Sequence, residues 1–532
     1  MLHRLGAAFV VIIMFLTLLS GCAMEESLAQ PRPEQEYGGT LVYALEEDVS
    51  SFATVLASSQ AAYVVTYQIH EPLVRYEASY KIVGALAESW EVSSDGLVWT
   101  FKLRDGVRWH DSKSFTSGDV KFTFELLLDP ASNCPRRREY LFIQRIDTPD
   151  ELSVQFYLRE PQGDFLDKMT VGIMSEEHVA KLGGLENYDR SPVGTGPFKF
   201  KEHVPGERIV LEANTLYWQG RPYLDKVVFR PIDDWQTRLE AFAKAEVHYV
   251  SGVSFEHLKS IEAKERFTLY KVPALSFAYL GLNNRNQLFR DIRVREALSY
   301  AVDQNAIIRE ALGGYAFAAY GPYSPANEYY HNPGVKKFGY NPEMARQLLD
   351  AAGYKLSKDQ IRQNVLGNRL EFSVMLRAGD DTWAHIASMC QKWFLEIGVK
   401  MNLEYVDWGT MNKRLDEREY EAAMLTFVPG PDPDQYMLWH SSAIHGGYND
   451  WCYTNPDVDK LLELGRNQSE QPLRRDTYFQ VQEVLAADVP AVWLYHPYTI
   501  CLLNEKFKGM TPEPMGQHSY LHRVYEAAPD SK

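Results

Sequence analysis

Catalysis needs a nucleophile, a base or a metal held at fixed spacing, and the sequence offers few such arrangements. No Gly-x-Ser-x-Gly marks a hydrolase nucleophile, and no His-Glu-x-x-His marks a zinc protease. His440 and His445 form a loose pair without a third ligand, so no metal site is read there. Gly194-Thr195-Gly196 lacks the Lys and the following helix of a phosphate loop. No enzyme activity, cofactor or metal is expected, and the chemistry to look for is binding.

Of the five cysteines, Cys22 has the most informative surroundings. His3 and Arg4 precede an apolar run over residues 7–19, broken only by Thr17, and Leu19-Ser20-Gly21-Cys22 follows. The run is too short to span a bilayer, which takes about 20 apolar residues. The layout is that of a secretory signal, 1–21. The box resembles the bacterial lipobox, which implies cleavage before Cys22 and lipid on its sulfur and its new amino group. Residues 22–36, with Pro31, Pro33 and several Glu and Gln, read as a flexible tether. Cys134, Cys390, Cys452 and Cys501 remain. They could form up to two disulfides with three connectivities. The helical pattern around Cys390 and the strand pattern around Cys501 favour buried thiols.

The elements that must position a binding site are mixed α and β. Residues 97–104 alternate, with Trp99, Phe101 and Leu103 on one face, and Asp105-Gly106 makes a turn. Residues 117–128 predict a helix capped by Ser117 and ended by Asp129-Pro130. Asp291 predicts a second cap, before the apolar stripe Val294, Ala297, Leu298, Ala301 and Val302. Asn341-Pro342 and Asn455-Pro456 start two more helices, with Pro at the first helical position. Residues 381–397 and 472–487 carry further amphipathic patterns.

A chain of 532 residues exceeds what one core holds, so two or three domains are expected. The net charge of −16 argues against nucleic acid as a partner, because phosphates demand a basic face. Aromatic residues make up 13%, including 32 Tyr and 11 Trp, and many must lie on surfaces or line a cavity.

Several blocks of sequence are specific. Residues 84–91 lead through Ser94-Asp95-Gly96 into 99–107, then Trp109-His110-Asp111 and 115–120. Pro192-Val193-Gly194-Thr195-Gly196-Pro197-Phe198 follows, then Asn214, Tyr217-Trp218 and 221–225. Leu282-Asn283, 291–297, Tyr340-Asn341-Pro342, Asp432-Pro433-Asp434 and 455–459 complete the set. In this order the chain resembles the extracellular solute-binding proteins of family 5, the dipeptide- and oligopeptide-binding lipoproteins of ABC importers. The resemblance runs from about residue 38 to about 514.

It implies an α/β, type II periplasmic-binding fold of two lobes and a hinge, plus an extra α/β domain. The first lobe would comprise 37–62, 190–271 and 495–525, the extra domain 63–189 and the second lobe 272–494. Hinge crossings are expected near Lys271 and Tyr495. The implied function is capture of short peptides between the lobes and delivery to membrane permease subunits, by a lipid-anchored monomer that is periplasmic or at the cell surface.

The same resemblance implies where ligand is touched. The strand Ser276-Phe277-Ala278-Tyr279 would border it, as would Tyr495 and His496 at the second crossing. Trp408 matches a pocket tryptophan. Thr426 stands where the family commonly has Trp, and Phe427 lies beside it. The family's carboxylate for a peptide's α-ammonium falls at position 429, which here is Pro429, a residue that also lacks a backbone N–H. Asp432 could substitute from a shifted loop, or serve as a turn or cap. Arg136-Arg137-Arg138 would approach the ligand's far end, or form a solvated basic loop. The vacant carboxylate position keeps open an oligosaccharide or a metal complex as ligand, and a sensory lipoprotein without transport as the role.

Overall fold

The computed structural model describes residues 37–255, 257–258, 267–513 and 521–527. The expected signal, Cys22 and the tether lie outside them.

The molecule is organised around one long strand, Ala491–Asn504. Its first half pairs antiparallel with Phe277–Leu282, in a register that sets Tyr495 against Ala278 and Ala491 against Gly281. Its second half pairs with Phe267–Pro273, from Tyr498 against Pro273 to Asn504 against Phe267. The short strands Ala316–Ala318 and Tyr249–Ser251 join it as well. Sheet strands therefore run outward in two directions. On one side lie Phe277–Leu282, Ala422–Phe427, Glu371–Arg377 and Lys400–Val406. On the other lie Tyr249–Ser251, Thr40–Leu45, Lys226–Pro231, Arg208–Ala213 and Phe198–Val204. The chain changes sides at two places, between Pro273 and Phe277 and within the long strand around Tyr495 to Tyr498. These are the crossings expected of a two-lobed α/β fold.

Each side has its own core. Leu41, Leu45, Leu211, Val227, Phe229 and Leu503 are among the buried residues of the first. In the second, the central strand Phe277–Leu282 is buried at every position. Ala278, Leu280 and Leu282 pack into one cluster and Phe277 and Tyr279 into another on the opposite face. A strand covered on both faces reads as a continuous apolar run.

A four-stranded antiparallel sheet forms a separate layer, in the order Ala87–Val92, Val98–Leu103, Ser153–Leu158 and Ile143–Asp150. Trp99, Phe101 and Leu103 share its buried face, as alternation predicted, with Phe156 and Phe165 packed on the same rings. The helix Ser117–Leu128 covers it. Its cap is one residue earlier than expected. Thr116 is the N-cap, and its backbone N–H donates to the Asp119 carboxylate at 3.0 Å. The Ser117 hydroxyl instead donates to the Asp150 carbonyl at 2.6 Å, tying the helix to the sheet. The helix Gln60–Ile69 crosses the boundary expected at residue 63. Ala61, Ala62, Val64, Val65 and Ile69 all pack in the first-lobe core. The caps at Asp291, Asn341 and Asn455 stand as predicted, each side chain accepting from a backbone N–H of the first turn.

The joint between first lobe and extra layer is held by a buried carboxylate. Glu71 accepts from the Tyr217 hydroxyl at 2.8 Å, the Thr195 hydroxyl at 2.9 Å and the Trp218 indole N–H at 2.9 Å. Burial pushes its carboxyl up, and the hydrogen bonds from Trp218, Tyr217 and Thr195 pull the other way. Gly194-Thr195-Gly196 runs past this point against residues 68–70. A Cβ at Gly194 would overlap the Ile69 carbonyl, so only glycine fits this close approach.

Candidate ligand cleft between the lobes

Two cavities of about 240 and 170 Å³ lie where the first lobe and extra layer face the second lobe. They share Tyr76, Asp167 and Pro431 and so form one divided cleft. Clefts between domains, with apolar walls and a few convergent polar groups, are where small ligands are usually held.

The second-lobe wall is the loop that follows the strand Ala422–Phe427. Its shape comes from hydrogen bonds to its carbonyls. Asn327 donates to the Pro431 carbonyl at 2.8 Å, and the Tyr323 hydroxyl donates to the Pro433 carbonyl at 3.0 Å. The Asp432 carboxylate accepts from the Asp434 N–H at 2.9 Å. Both its oxygens also take the fork of Arg474, at 2.6 and 2.7 Å. Arg474 is buried, and its Nε donates to the Gly465 carbonyl at 2.9 Å. A bidentate guanidinium in a dry setting uses up the carboxylate it clamps.

The opposite wall carries Asp167. One of its oxygens accepts from the Tyr76 hydroxyl at 2.7 Å. Lys168 stands 3.7 Å from the other, beyond hydrogen-bond reach, and is shared with Glu139 and Asp164 at 3.4 Å each. Burial pushes the Asp167 carboxyl up, Lys168 opposes this, and the Asp432 charge across the cleft adds to it. Arg136 lines the larger cavity while its guanidinium pairs with Glu139 at 3.2 Å. Of the Arg136-Arg137-Arg138 run, Arg136 faces the cleft, and Arg137 is turned to the Leu128 carbonyl at 2.7 Å.

The walls meet at Gly163. Its N–H donates to the Arg466 carbonyl across the gap at 2.7 Å. A Cβ there would sit 2.6 Å from the Gly465 carbonyl oxygen and 2.9 Å from that of Gln468. Backbone on backbone cannot yield, so the glycine sets how closely the walls approach.

Of the residues expected to touch ligand, Asp432 lines the smaller cavity and Arg136 the larger, while Ser276, Phe277, Tyr279, Trp408, Thr426, Phe427, Tyr495 and His496 line neither. Phe277 and Tyr279 are core residues, because their strand is covered on both faces. Phe277 packs on Trp493 and Tyr279 on Trp451. Ser276 is buried, and its carbonyl accepts from His496 Nδ1 at 3.0 Å. His496 is stacked on Phe317, and burial holds its ring neutral with a pKa lowered to about 4. It braces the crossing and has no charge to offer a carboxylate. Tyr495 packs in the second-lobe core near Trp383. Trp408 begins the helix Trp408–Glu417 and is 50% exposed, with Arg377 over its ring. Thr426 is exposed, and Phe427 packs against Phe277 and Tyr448. Pro429 lies on the same loop as Asp432, in a small recess beside the cleft.

Sequence reasoning missed Asp167, Tyr76, Tyr330 and Arg474. A lone Asp followed by Lys has no spacing that marks it. His440 is stacked on Tyr436 at 4.0 Å, and among the described residues no group of three His, Cys, Asp or Glu is arranged to hold a metal. Cys134, Cys390, Cys452 and Cys501 are buried free thiols.

Known proteins place this architecture. The chain is 28% identical over 521 residues to the oligopeptide-binding protein AppA of Bacillus subtilis, covering 96% of this chain and 95% of that one. It is 28% identical to the dipeptide-binding protein of Escherichia coli, over 90% and 94% of the two chains. A solved structure of the ABC transporter substrate-binding protein CtaP from Listeria monocytogenes superposes with a TM-score of 0.79 at 27% identity, over 92% of this chain and 100% of that one. The family model described as bacterial extracellular solute-binding proteins, family 5 Middle, matches residues 81–448. The chain belongs to the bacterial extracellular solute-binding proteins of family 5.

Proposed function

We propose that this protein captures short peptides in the divided cleft and hands them to the permease of an ABC importer. The observation that carries the reading is the cleft's combination of a carboxylate with an unused acceptor, a guanidinium and several rings, all between two lobes joined by paired strands. A peptide presents an ammonium, a carboxylate and side chains, and needs this mixture. Relatives named for oligopeptide and dipeptide binding support it. Opening and closing need differ by only a few kcal/mol for ligand contacts to decide the population.

The domain division belongs to the same reading: a first lobe of 37–62, 190–271 and 495–525, an extra domain of 63–189 and a second lobe of 272–494, except that residues 63–69 complete the helix Gln60–Ile69 and go with the first lobe by its packing. So does a lipid on Cys22 that keeps a monomeric receptor beside its permease. No helix among the described residues is long and apolar enough to cross a membrane.

Mass spectrometry of solute released from purified protein, followed by calorimetry with that solute, tests the proposal. Short peptides are the expected cargo. A relative named as a heme-binding protein, 28% identical, makes haem the informative alternative. Release of haem, an oligosaccharide or a metal complex, with no peptide shifting the melting temperature, would overturn the peptide reading. Labelling with a radioactive fatty acid, lost in Cys22→Ala, tests the anchor.

A further inference from the structure

The two cavities differ in character. The larger sets Thr54, Gln60, Thr66 and Thr170 among the rings of Tyr63 and Tyr67, with Arg136 on its margin. The smaller is walled by rings and branched chains, with Tyr76, Tyr80, Trp90, Tyr329 and Tyr330 around Ile82 and Leu166. Its volume of about 170 Å³ exceeds the roughly 150 Å³ of an apolar cavity known to hold benzene. An aromatic side chain therefore fits it, and edge and face contacts with the surrounding rings favour such a guest over an aliphatic one of equal area.

Asp167 stands at the junction of the two cavities. The rival carboxylate, Asp432, is spent on Arg474. Asp167 has one hydrogen bond, from Tyr76, and acceptor capacity left over. An ammonium brought into this cleft needs such a partner, because a buried unpaired charge costs several kcal/mol. The α-ammonium and the side chain of an amino-acid residue leave the same Cα. If the ammonium sits at the junction, its own side chain has the aromatic chamber beside it. The rest of the backbone then runs into the larger cavity, toward Arg136.

We infer that Asp167 receives the ligand's free α-ammonium and that the chamber beside it selects an aromatic first residue, so that the preferred cargo is a short peptide with an aromatic amino terminus. The inference rests on the peptide reading above.

The test is calorimetry on the purified protein stripped of co-purified solute, with Phe-Ala, Ala-Phe, Ala-Ala and N-acetyl-Phe-Ala, beside a mixture of peptides of two to nine residues. Phe-Ala is expected to bind at least tenfold more tightly than Ala-Ala or Ala-Phe, and acetylation to cost at least tenfold. In Asp167→Asn the free and acetylated peptides should bind alike. Thermal melting of the variant checks that it folds, and the wild-type panel decides the chamber and the ammonium even if it does not. Equal binding of Phe-Ala and Ala-Ala, or of free and acetylated Phe-Ala, by the wild type overturns the inference, as does a folded Asp167→Asn that still discriminates them. Binding of the mixture without Phe-Ala overturns the inference and leaves the peptide reading standing. If no peptide binds, both fall.

Discussion

Glu71 and Asp167 are both acidic side chains drawn into the protein, and they are provided for differently. Glu71 sits at the joint between first lobe and extra layer, with three side-chain donors closed around it. Asp167 sits in the cleft wall with one donor and open space beside it. Burial pushes both carboxyls up. A carboxylate whose lone pairs are filled by the protein holds structure together, whereas one left partly unfilled beside a cavity is available to a ligand.

Substitutions separate the two roles. The largest effect is expected from Glu71→Ala, which strands the Tyr217 hydroxyl, the Trp218 N–H and the Thr195 hydroxyl in a dry joint. A loss of about 3–5 kcal/mol is expected in urea unfolding. Ligand affinity of the remaining folded protein should be unchanged. Gly163→Ala comes next. Its methyl group would meet two backbone carbonyls of the second lobe, so the walls must part. Expected results are a cost of about 1–3 kcal/mol, weaker ligand binding and a larger radius of gyration by small-angle scattering.

A smaller effect is expected from pH, and its sign can be assigned. His496 has a pKa lowered to about 4 in the fold, against an ordinary value of 6.5. The unfolded chain therefore takes the proton first. The stability held by neutral His496 is full above about pH 6.5 and is lost as the pH falls toward 4, at roughly 1 kcal/mol per unit. His496→Asn, which keeps a donor for the Ser276 carbonyl, should flatten that limb in thermal melts. Asp167 moves the other way. Its carboxyl is raised, so affinity for a cationic ligand should weaken at less acid pH than an ordinary Asp would allow. For the same reason Asp167→Asn should match or slightly exceed the wild type in melting temperature, the opposite of Glu71→Ala. The smallest effect is expected from Trp408→Ala, with stability within about 0.5 kcal/mol and ligand affinity unaltered, because half of the ring faces water.

These contrasts mark how far the sequence could be read. Caps at Asp291, Asn341 and Asn455, the alternation of Trp99, Phe101 and Leu103, and the two-lobed α/β fold were legible because local spacing or a specific block carries them. The shift of the cap from Ser117 to Thr116 shows the usual error of one residue, where two hydroxyls compete for one role. The cleft was much less legible. Ser276, Phe277, Tyr279, Tyr495 and His496 lie beside the two crossings. Their burial depends on sheets and helices distant in sequence, and it turned candidate contacts into core. Asp167 and Arg474 could not be paired with the cleft beforehand, since nothing in their neighbours distinguishes them from surface charges. Arg136 stands in a run that reads either as a contact to the ligand's far end or as a solvated basic loop, and the fold sets it at the edge of the larger cavity.

The long strand Ala491–Asn504 has a consequence for how the molecule is made. The first lobe's sheet begins at Thr40, and its pairing of Tyr249 with Leu503 waits for nearly the last stretch of chain. The second lobe's central strand, Phe277–Leu282, waits for Ala491 to Tyr495. Contacts so distant in sequence are slow to form, and loops must close before they repay the entropy. A nascent or translocating chain therefore carries two unfinished sheet edges for most of its length, each open to mispairing. Both are closed by the same late segment, so the lobes mature together in one final step.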